Sequence, residues 1–154
     1  MSVEVRRAEG EPDYAFMREL GRASVMSSVG PIRQTTPALA GAAYDRLDEI
    51  VTSQSHVALI ASDDGRRVGF VLLLDQLPDE VTLTDQAFLA YMAVEPHRQG
   101  AGVGAKLLAA AEDEARRRGL PYMALMVTEE NAAARRLYER AGYQTERRLL
   151  CKAL

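Results

Sequence analysis

The amino-acid sequence predicts a mixed α/β domain that contains at least one pair of parallel strands. Stretches of strand length alternate with helix-spaced patterns in the order β-α-α-β-β-β-α-β-α-β. The stretch RVGFVLLLD is apolar nearly throughout, which is typical of a strand covered on both faces. A strand–helix–strand succession in the second half needs a crossover connection, and such a connection makes its two strands parallel.

The N-terminal half is predicted to hold a strand, two helices and a hairpin. Val3 to Glu9 alternates apolar and polar residues, as a half-buried strand does. Helix spacing begins at about Asp13, and Ser27 to Pro37 has the composition of a loop. Thr36 and Pro37 form a favourable N-cap and first-turn pair for the second helix. HVALIAS and RVGFVLLLD then read as two strands joined by a tight turn over DDGR.

The C-terminal half is predicted to alternate strands and helices and to close with a strand pair. After the polar stretch PDEVTLTD, the strand AFLAYMAVE is ended by Pro96. A helix is expected from about Gly102 to Arg118, a strand over YMALMVT, and a short helix from about Asn131 to Ala141. The stretch GYQTERRLLCKAL is expected to form the final strand pair.

Composition and charge narrow the class of protein. The 154 residues are expected to form one domain spanning 1–154, large enough for a core without metals or disulfides. A formal charge of −3 and a pI near 5.5 argue against a nucleic-acid partner. The sequence has no run of about 18 apolar residues, and MSVEVRRAEGEPD lacks the apolar stretch of a signal peptide, so no membrane partner is expected.

The few cysteines and histidines are also informative. A single cysteine, Cys151, excludes an internal disulfide and fits a reducing compartment, so a cytoplasmic location is expected. His56 and His97 lie far apart in sequence and no Cys/His cluster occurs. No metal site is therefore predicted.

The strongest candidate for a binding site is the stretch QGAGVGAKLL. Here the chain leaves a strand, turns through glycines and enters a helix, so several backbone N–H groups and the positive end of the helix dipole face one point. Such a point suits a phosphate, and a side chain at Gly102 or Gly104 would obstruct its approach. Tight packing alone would explain the glycines equally well. The spacing of Gly100, Gly102 and Gly104 fits neither the dinucleotide fingerprint nor the P-loop.

Two motifs in this region resemble the signatures of one family. VEP followed by QGAGVG (Gln99 to Gly104) is similar to the [QR]-x-x-G-x-[GA] signature of the GCN5-related N-acetyltransferases (GNAT). EENAAARRLYERAGY (Glu129 to Tyr143) is similar to the family's second signature, an Asn followed by a helix carrying LYExxGF. The resemblance covers most of the chain, and Met92 to Tyr143 most closely. It implies a three-layer domain whose central mixed, mostly antiparallel sheet has a splayed parallel strand pair, with helices on both faces.

The same resemblance implies how acetyl-CoA would bind. The backbone of Met92, Ala93 and Val94 would hold the acetyl carbonyl and the pantetheine between the splayed strands. Asn131 matches the Asn that contacts the pantetheine arm, and Asn is also among the best N-cap residues. The pyrophosphate would be cradled by the backbone N–H groups of seven consecutive residues, Gln99, Gly100, Ala101, Gly102, Val103, Gly104 and Ala105.

The resemblance also indicates a catalytic residue, whereas it does not identify the residue that acts as general base. Tyr138 matches the family tyrosine beside the cofactor sulfur, as general acid or as hydrogen-bond donor to the thiolate. A phenol with a pKa near 10 is a weaker acid than a thiol near 8.5, which favours the hydrogen bond. Many relatives carry Glu or Asp on the strand before the signature, but LAYMAV has Ala90 and Tyr91 there. Glu80 and Asp85 are weak base candidates that solvated loop charges explain better, and a water chain opening on Tyr91 is the alternative.

The function implied by the resemblance is transfer of an acetyl group from acetyl-CoA to a primary amine of a small molecule or peptide, directly within a ternary complex. The family often dimerises through terminal strands, so the resemblance implies a homodimer to which RRLLCKAL would contribute, although the apolar residues of this stretch equally suit an internal strand. Since the strand carboxylate is missing, the main alternative is a catalytically impaired acyl-CoA-binding sensor or interaction domain. A protein that binds ATP or NAD through the glycines is a third reading.

Overall fold

The computed structural model describes residues 2–154, and its elements follow the predicted order up to the last helix. The strands are β1 (Val3–Arg7), β2 (His56–Asp63), β3 (Arg66–Leu74), β4 (Ala87–Val94) and β5 (Met123–Leu125). The α-helices are α1 (Gly10–Ser24), α2 (Pro37–Thr52), α3 (Val103–Arg117) and α4 (Ala132–Arg140). Short 3₁₀ turns follow α1 at Val25–Ser28 and β4 at Pro96–Arg98.

The five strands form one mixed sheet in the order β1-β2-β3-β4-β5, with helices on both faces. Neighbours from β1 to β4 pair antiparallel, and β4 and β5 pair parallel. One apolar cluster joins the sheet to α1 and α2, and a second joins its other face to α3 and α4. The predicted three-layer α/β fold is therefore confirmed, and β3 is buried on both faces as its sequence indicates. No helix among the described residues is long and apolar enough to cross a membrane.

Local sequence signals set two of the element boundaries as predicted. The Thr36 hydroxyl accepts a hydrogen bond from the Leu39 N–H at 3.2 Å, with Pro37 at the first helical position of α2. The turn between β2 and β3 has positive φ at Asp64 (53°) and Gly65 (79°), which is the backbone of a tight hairpin turn.

A glycine in β3 fixes how closely α3 approaches the sheet. A Cβ added at Gly69 would lie 2.9 Å from the Ala93 carbonyl oxygen and 3.1 Å from Leu107 Cδ1. Both separations are shorter than ordinary contact distances, so a side chain here would press on the backbone of β4 and on Leu107 of α3. Gly69 therefore allows β4 and α3 to lie close to β3 at this point.

The C-terminal strands are where the structure departs from the prediction. β5 covers only Met123–Leu125 of the expected strand YMALMVT, and residues 144–154, here called the C-terminal arm, form no strand. Met126 is 77% exposed, and Leu149 and Leu150 are each 86% exposed. These segments bury too little apolar surface to support a ladder. Instead, a two-point ion pair ties the arm to the domain, with Arg147 Nη1 and Nη2 lying 2.8 and 3.1 Å from the carboxylate oxygens of Asp79.

Candidate functional site

The parallel strands β4 and β5 pair over only three residues and then diverge. Ala87–Leu89 pairs with Met123–Leu125, whereas β4 continues to Val94 with no partner on that side. The pairing of β4 with β3 shifts between Leu89 and Tyr91, so Ala90 is the extra residue of a β-bulge. Because bulges bend a strand and increase its twist, the bulge turns β4 away from β5. The space between residues 90–94 and the segment after β5 is called the wedge below.

Within the wedge, β4 presents unpaired backbone groups. The Glu95 N–H donates to the Val68 carbonyl at 2.8 Å, and antiparallel pairs alternate between bonded and non-bonded positions. By that alternation Tyr91 and Ala93 bond to β3, while the N–H and C=O of Met92 and Val94 point into the wedge. The Gln99 side-chain amide donates to the Val94 carbonyl at 3.3 Å, in agreement with this orientation. An extended ligand could hydrogen-bond here like an added strand.

The glycines after β4 serve two different purposes. Gly100 and Gly102 have φ of +79° and +86°, and an added Cβ at either would meet nothing within 4 Å. Glycine is needed at both because side-chain-bearing residues rarely adopt this left-handed conformation. At Gly104 an added Cβ would lie 3.2 Å from Leu137 Cδ2 on α4, a tight contact, so close packing of α3 on α4 favours glycine here. This contact supports the packing alternative for Gly104, and obstruction of a phosphate by a side chain there stays a prediction.

The N-terminus of α3 offers free N–H donors beside the wedge. Gly102 is its N-cap and brings no side chain to the cap, and the first N–H bonded back is that of Lys106, to the Gly102 carbonyl at 3.1 Å. Among residues 2–154, the N–H groups of Val103, Gly104 and Ala105 donate to no acceptor. Free N–H groups and the positive end of the helix dipole together favour an anion.

Asn131 lies at the start of α4, in the segment that follows β5. Its side-chain Oδ1 accepts a hydrogen bond from the Ala134 N–H at 3.2 Å, so the predicted N-cap is confirmed. The cap uses only the amide oxygen, which leaves the two side-chain N–H donors available to a ligand.

Tyr138 lies in the apolar cluster against which Met92 and Val94 also pack. Its ring meets that of Tyr143 edge to face, with centroids 5.9 Å apart. The Tyr143 hydroxyl donates to Glu112 Oε2 at 2.8 Å, whereas the Tyr138 hydroxyl has no hydrogen-bond partner among residues 2–154. Burial, and secondly the neighbouring phenol of Tyr91, raise the pKa of Tyr138 above its ordinary value. A phenol of this kind donates a hydrogen bond and resists ionisation.

The 3₁₀ turn Val25–Ser28 spans the open end of the wedge. On the β4 side, the Ser24 and Tyr91 hydroxyls are 2.9 Å apart. On the β5 side, the Thr128 hydroxyl donates to the Ser28 carbonyl at 2.7 Å. Sequence reasoning named Tyr91 but missed Ser24 and Thr128 as its counterparts, because neither stands in a motif.

Aromatic contacts hold the Tyr91 side chain in place. Its ring centroid lies 4.9 Å from that of Tyr44 and 6.0 Å from that of Phe70. A Cβ added at Gly21 on α1 would lie only 2.0 Å from Tyr44 Cζ, so Tyr44 occupies the space that this glycine leaves. Gly21 therefore leaves the space that Tyr44 fills, and the Tyr44 ring in turn contacts the ring of Tyr91.

The two carboxylates considered as bases lie away from this arrangement. Asp85 precedes the first residue of β4, so at about 3.3 Å per residue it is on the order of 20 Å from Met92 along the strand. Glu80 and Asp85 are both exposed, and neither hydrogen-bonds with Tyr138, Tyr91 or Ser24. The structure does not bring these carboxylates together with Tyr138. Within residues 2–154, no group of three or more His, Cys, Asp or Glu residues could hold a metal ion.

Comparison with known proteins agrees with this geometry. The sequence profile of the acetyltransferase (GNAT) family matches residues 31–143. Over 90 residues the chain is 34% identical to the uncharacterized N-acetyltransferase YhfO of Bacillus subtilis, a match that covers 58% of this chain and 60% of that relative.

Solved structures share the fold over nearly the whole chain. A candidate acetyl transferase from Pyrococcus furiosus superposes with a TM-score of 0.82 at 24% identity, covering 98% of this chain and 100% of that one. YncA of Salmonella typhimurium, a candidate acetyltransferase solved with its cofactor acetyl-CoA, superposes with a TM-score of 0.67 at 25% identity, covering 92% and 79%.

Proposed function

Since the chain belongs to the acetyltransferase (GNAT) family, we propose that it is an N-acetyltransferase that moves an acetyl group from acetyl-CoA to a primary amine, directly within a ternary complex. The observation that carries the proposal is the wedge, whose free β4 backbone leads to the free N–H groups of α3. The whole reaction is assigned to one domain, residues 1–154. The acetyl-CoA bound to the similar YncA protein supports the choice of cosubstrate.

The described residues fit coenzyme A at three places. The N–H and C=O of Met92 and the N–H of Val94 are free for the pantetheine and the acetyl carbonyl, whereas the Val94 carbonyl accepts from Gln99 and the backbone groups of Ala93 are engaged with β3. The Asn131 side-chain N–H groups are available to the pantetheine arm. The pyrophosphate is assigned to the N–H groups from Gly100 through Ala105, at the N-terminus of α3, whereas the N–H of Gln99, also expected there, donates to the Pro96 carbonyl at 3.3 Å. Acetyl-CoA supplies an acetyl group activated as a thioester.

Tyr138 is assigned to the departing sulfur as a hydrogen-bond donor. In the transfer the amine nitrogen forms a bond to the acetyl carbon, the carbon–sulfur bond breaks with its electron pair going to sulfur, and the nitrogen loses a proton to water. A preorganised donor stabilises the charge that develops on sulfur. The pKa of Tyr138 is raised mainly by burial, and a weaker acid is better suited to donating this hydrogen bond than to giving up its proton.

For the proton on the acceptor, a water route that opens on Tyr91 is the better-supported assignment. The Tyr91 hydroxyl stands 2.9 Å from that of Ser24 at the open end of the wedge. Glu80 and Asp85 are weaker candidates for the general base, because they belong to the loop before β4. A domain that binds acyl-CoA without catalysis would also lack a carboxylate near Tyr91. The two functions are therefore distinguished only by detecting the acetylated product.

A homodimer that works in the cytoplasm is also proposed, with the C-terminal arm in the interface. Leu149, Leu150 and Leu154 are exposed there, and β5 is an edge strand. Unpaired edges and exposed leucines are surfaces that a second copy could cover. A bismaleimide would then join the exposed Cys151 thiols of two chains, and a chain that sediments only as a monomer at micromolar concentration contradicts this proposal.

Release of coenzyme-A thiol from acetyl-CoA, measured against a broad amine panel, tests the proposed function. We expect release that depends on one class of amine, with one acetylated amine detected by mass spectrometry for each thiol. Thiol release without an acetylated amine would indicate hydrolysis. Acetyl-CoA that raises the melting temperature while no amine supports release would indicate the sensor or interaction domain, and stabilisation by ATP or NAD instead would indicate the third reading.

A further inference from the structure

The hydroxyl groups around the wedge have no carboxylate among their partners. The Tyr91 hydroxyl pairs with Ser24, whose own hydroxyl also donates to the Gly21 carbonyl at 3.3 Å. The Tyr138 hydroxyl has no partner among residues 2–154. An acceptor nitrogen near Tyr91 and Tyr138 therefore meets phenols, serines and backbone, none of which is a base at neutral pH.

Other tyrosines of the chain show that carboxylates elsewhere do act on phenols. Asp48 raises the pKa of Tyr14 and of Tyr44, and Glu112 raises that of Tyr143, in each case after burial as the largest cause. No carboxylate contributes to the raised pKa of Tyr91 or of Tyr138. This agrees with the hydrogen-bond geometry, in which no carboxylate bonds to the hydroxyl of Tyr91, Ser24 or Tyr138.

The 3₁₀ turn and loop at the open end of the wedge also lack acidic residues, whereas the segment after β5 carries the exposed Glu129 and Glu130, of which Glu129 pairs with Arg135. Met26 to Gln34 reads MSSVGPIRQ, whose one charged residue is Arg33. Met26 and Ile32 are 41% and 47% exposed, so this border is partly apolar. Between Met26 and Gln34 a polycationic acceptor would find no negative charge to offset the loss of its hydration.

Without a base, the rate depends on how much of the acceptor is already neutral. At pH 7 about 14% of an α-amino group with a pKa near 7.8 is neutral, against about 0.04% of a lysine side chain with a pKa near 10.4, a ratio of about 300. A weaker base is also a poorer nucleophile. With a Brønsted sensitivity of about 0.4–0.5, as for thiolates, that effect reduces the advantage to about 20-fold.

We infer that the acceptor is a weakly basic primary amine, foremost the α-amino group of a peptide, rather than a lysine side chain or a polyamine. The inference rests on the proposed function and narrows its substrate class. The amine enters as the free base, its nitrogen bonds to the acetyl carbon as the carbon–sulfur bond breaks, and its second proton passes to water beside Tyr91 and Ser24.

Peptides that carry both kinds of amine test the inference. Each has a free N-terminus and one internal lysine, with the first residue varied over a small library. Two matched controls carry one amine each, the N-acetylated peptide and the peptide with norleucine in place of lysine. The acetylated position is mapped by fragmentation mass spectrometry at pH 7 and pH 9, and spermidine is assayed in parallel.

We expect α-acetylation to exceed ε-acetylation by about 20-fold at pH 7 and by only about 2-fold at pH 9, because the neutral fraction of the lysine side chain rises about 95-fold between the two pH values and that of the α-amino group only about 7-fold. An ε-amine preferred at pH 7, or a ratio that does not change with pH, means that the site has a base of its own and overturns the inference. Spermidine acetylated with a higher kcat/KM than every peptide also overturns it, and leaves the proposed function standing. If coenzyme A binds and no amine of any kind is acetylated, the proposed function itself fails, and the inference with it.

Discussion

Replacing Tyr138 with Phe is expected to lower kcat on the order of 10²-fold while leaving the affinity for coenzyme A nearly unchanged. The ring fills the same buried position, so the change removes only the hydroxyl. Removing one preorganised donor to a developing negative charge commonly costs this much. Steady-state thiol release gives kcat, and isothermal titration with coenzyme A gives the affinity.

Tyr143→Phe is the matched control. Its ring packs edge to face on that of Tyr138, and its hydroxyl donates to Glu112 instead of facing the wedge. We expect the Tyr143 variant to keep its kcat and to lose some thermal stability, because a hydrogen bond to a charged group is removed. If kcat falls equally in the two variants, packing of the aromatic pair matters and the hydroxyl of Tyr138 has no special role.

Gly21→Ala is expected to destabilise the fold by about 1–3 kcal/mol, which is the usual range for overpacking a core. The added Cβ would lie 2.0 Å from Tyr44 Cζ and 2.5 Å from its hydroxyl oxygen. Tyr44 is 1% exposed and its ring touches that of Tyr91, so it has little room to move. Urea unfolding monitored by circular dichroism measures the loss, and a lowered acetyl-transfer rate in the folded fraction would follow from displacement of Tyr91.

Gly41→Ala is the control for this change and has the opposite expected sign. Gly41 lies in α2, and the nearest atom to an added Cβ is Arg22 Cγ at 4.0 Å. Alanine is favoured over glycine within a helix by about 0.8–1.0 kcal/mol, so this variant is expected to be stabilised. Equal effects of the two substitutions would mean that helix propensity decides both, and that Tyr44 is not held against Gly21.

The sequence predicted those parts of the site that depend on local signals. Three glycines directly after an apolar strand predicted a turn into a helix, and Gly100 and Gly102 do adopt the left-handed backbone. The N-caps Thr36 and Asn131 were predictable because capping needs only residues close in sequence. The resemblance to the GNAT family supplied the splayed strand pair, which the structure confirms.

Features that depend on contacts between distant residues were beyond the sequence. The bulge at Ala90 has no residue signal, since it arises from how β4 pairs with β3. The role of Gly104 could not be read without knowing that Leu137 packs against it. The predicted C-terminal strands failed for a related reason, because leucines indicate a strand only where a neighbouring surface is available to bury them.

Coenzyme A binding to the wild type, Gly102→Ala and Gly119→Ala proteins tests the central claim most directly. The two glycines flank α3, have φ of +86° and +70°, and leave open space around an added Cβ, so both variants carry a similar backbone penalty of about 1–2 kcal/mol. Only Gly102 stands at the end of α3 assigned to the pyrophosphate. We expect isothermal titration to show that coenzyme A binds the wild type and that Gly102→Ala weakens binding by about 10-fold or more. Gly119→Ala is expected to bind like the wild type at the same loss of melting temperature. Equal affinities in the two variants, or no binding to the wild type, would contradict the assignment of this site to coenzyme A.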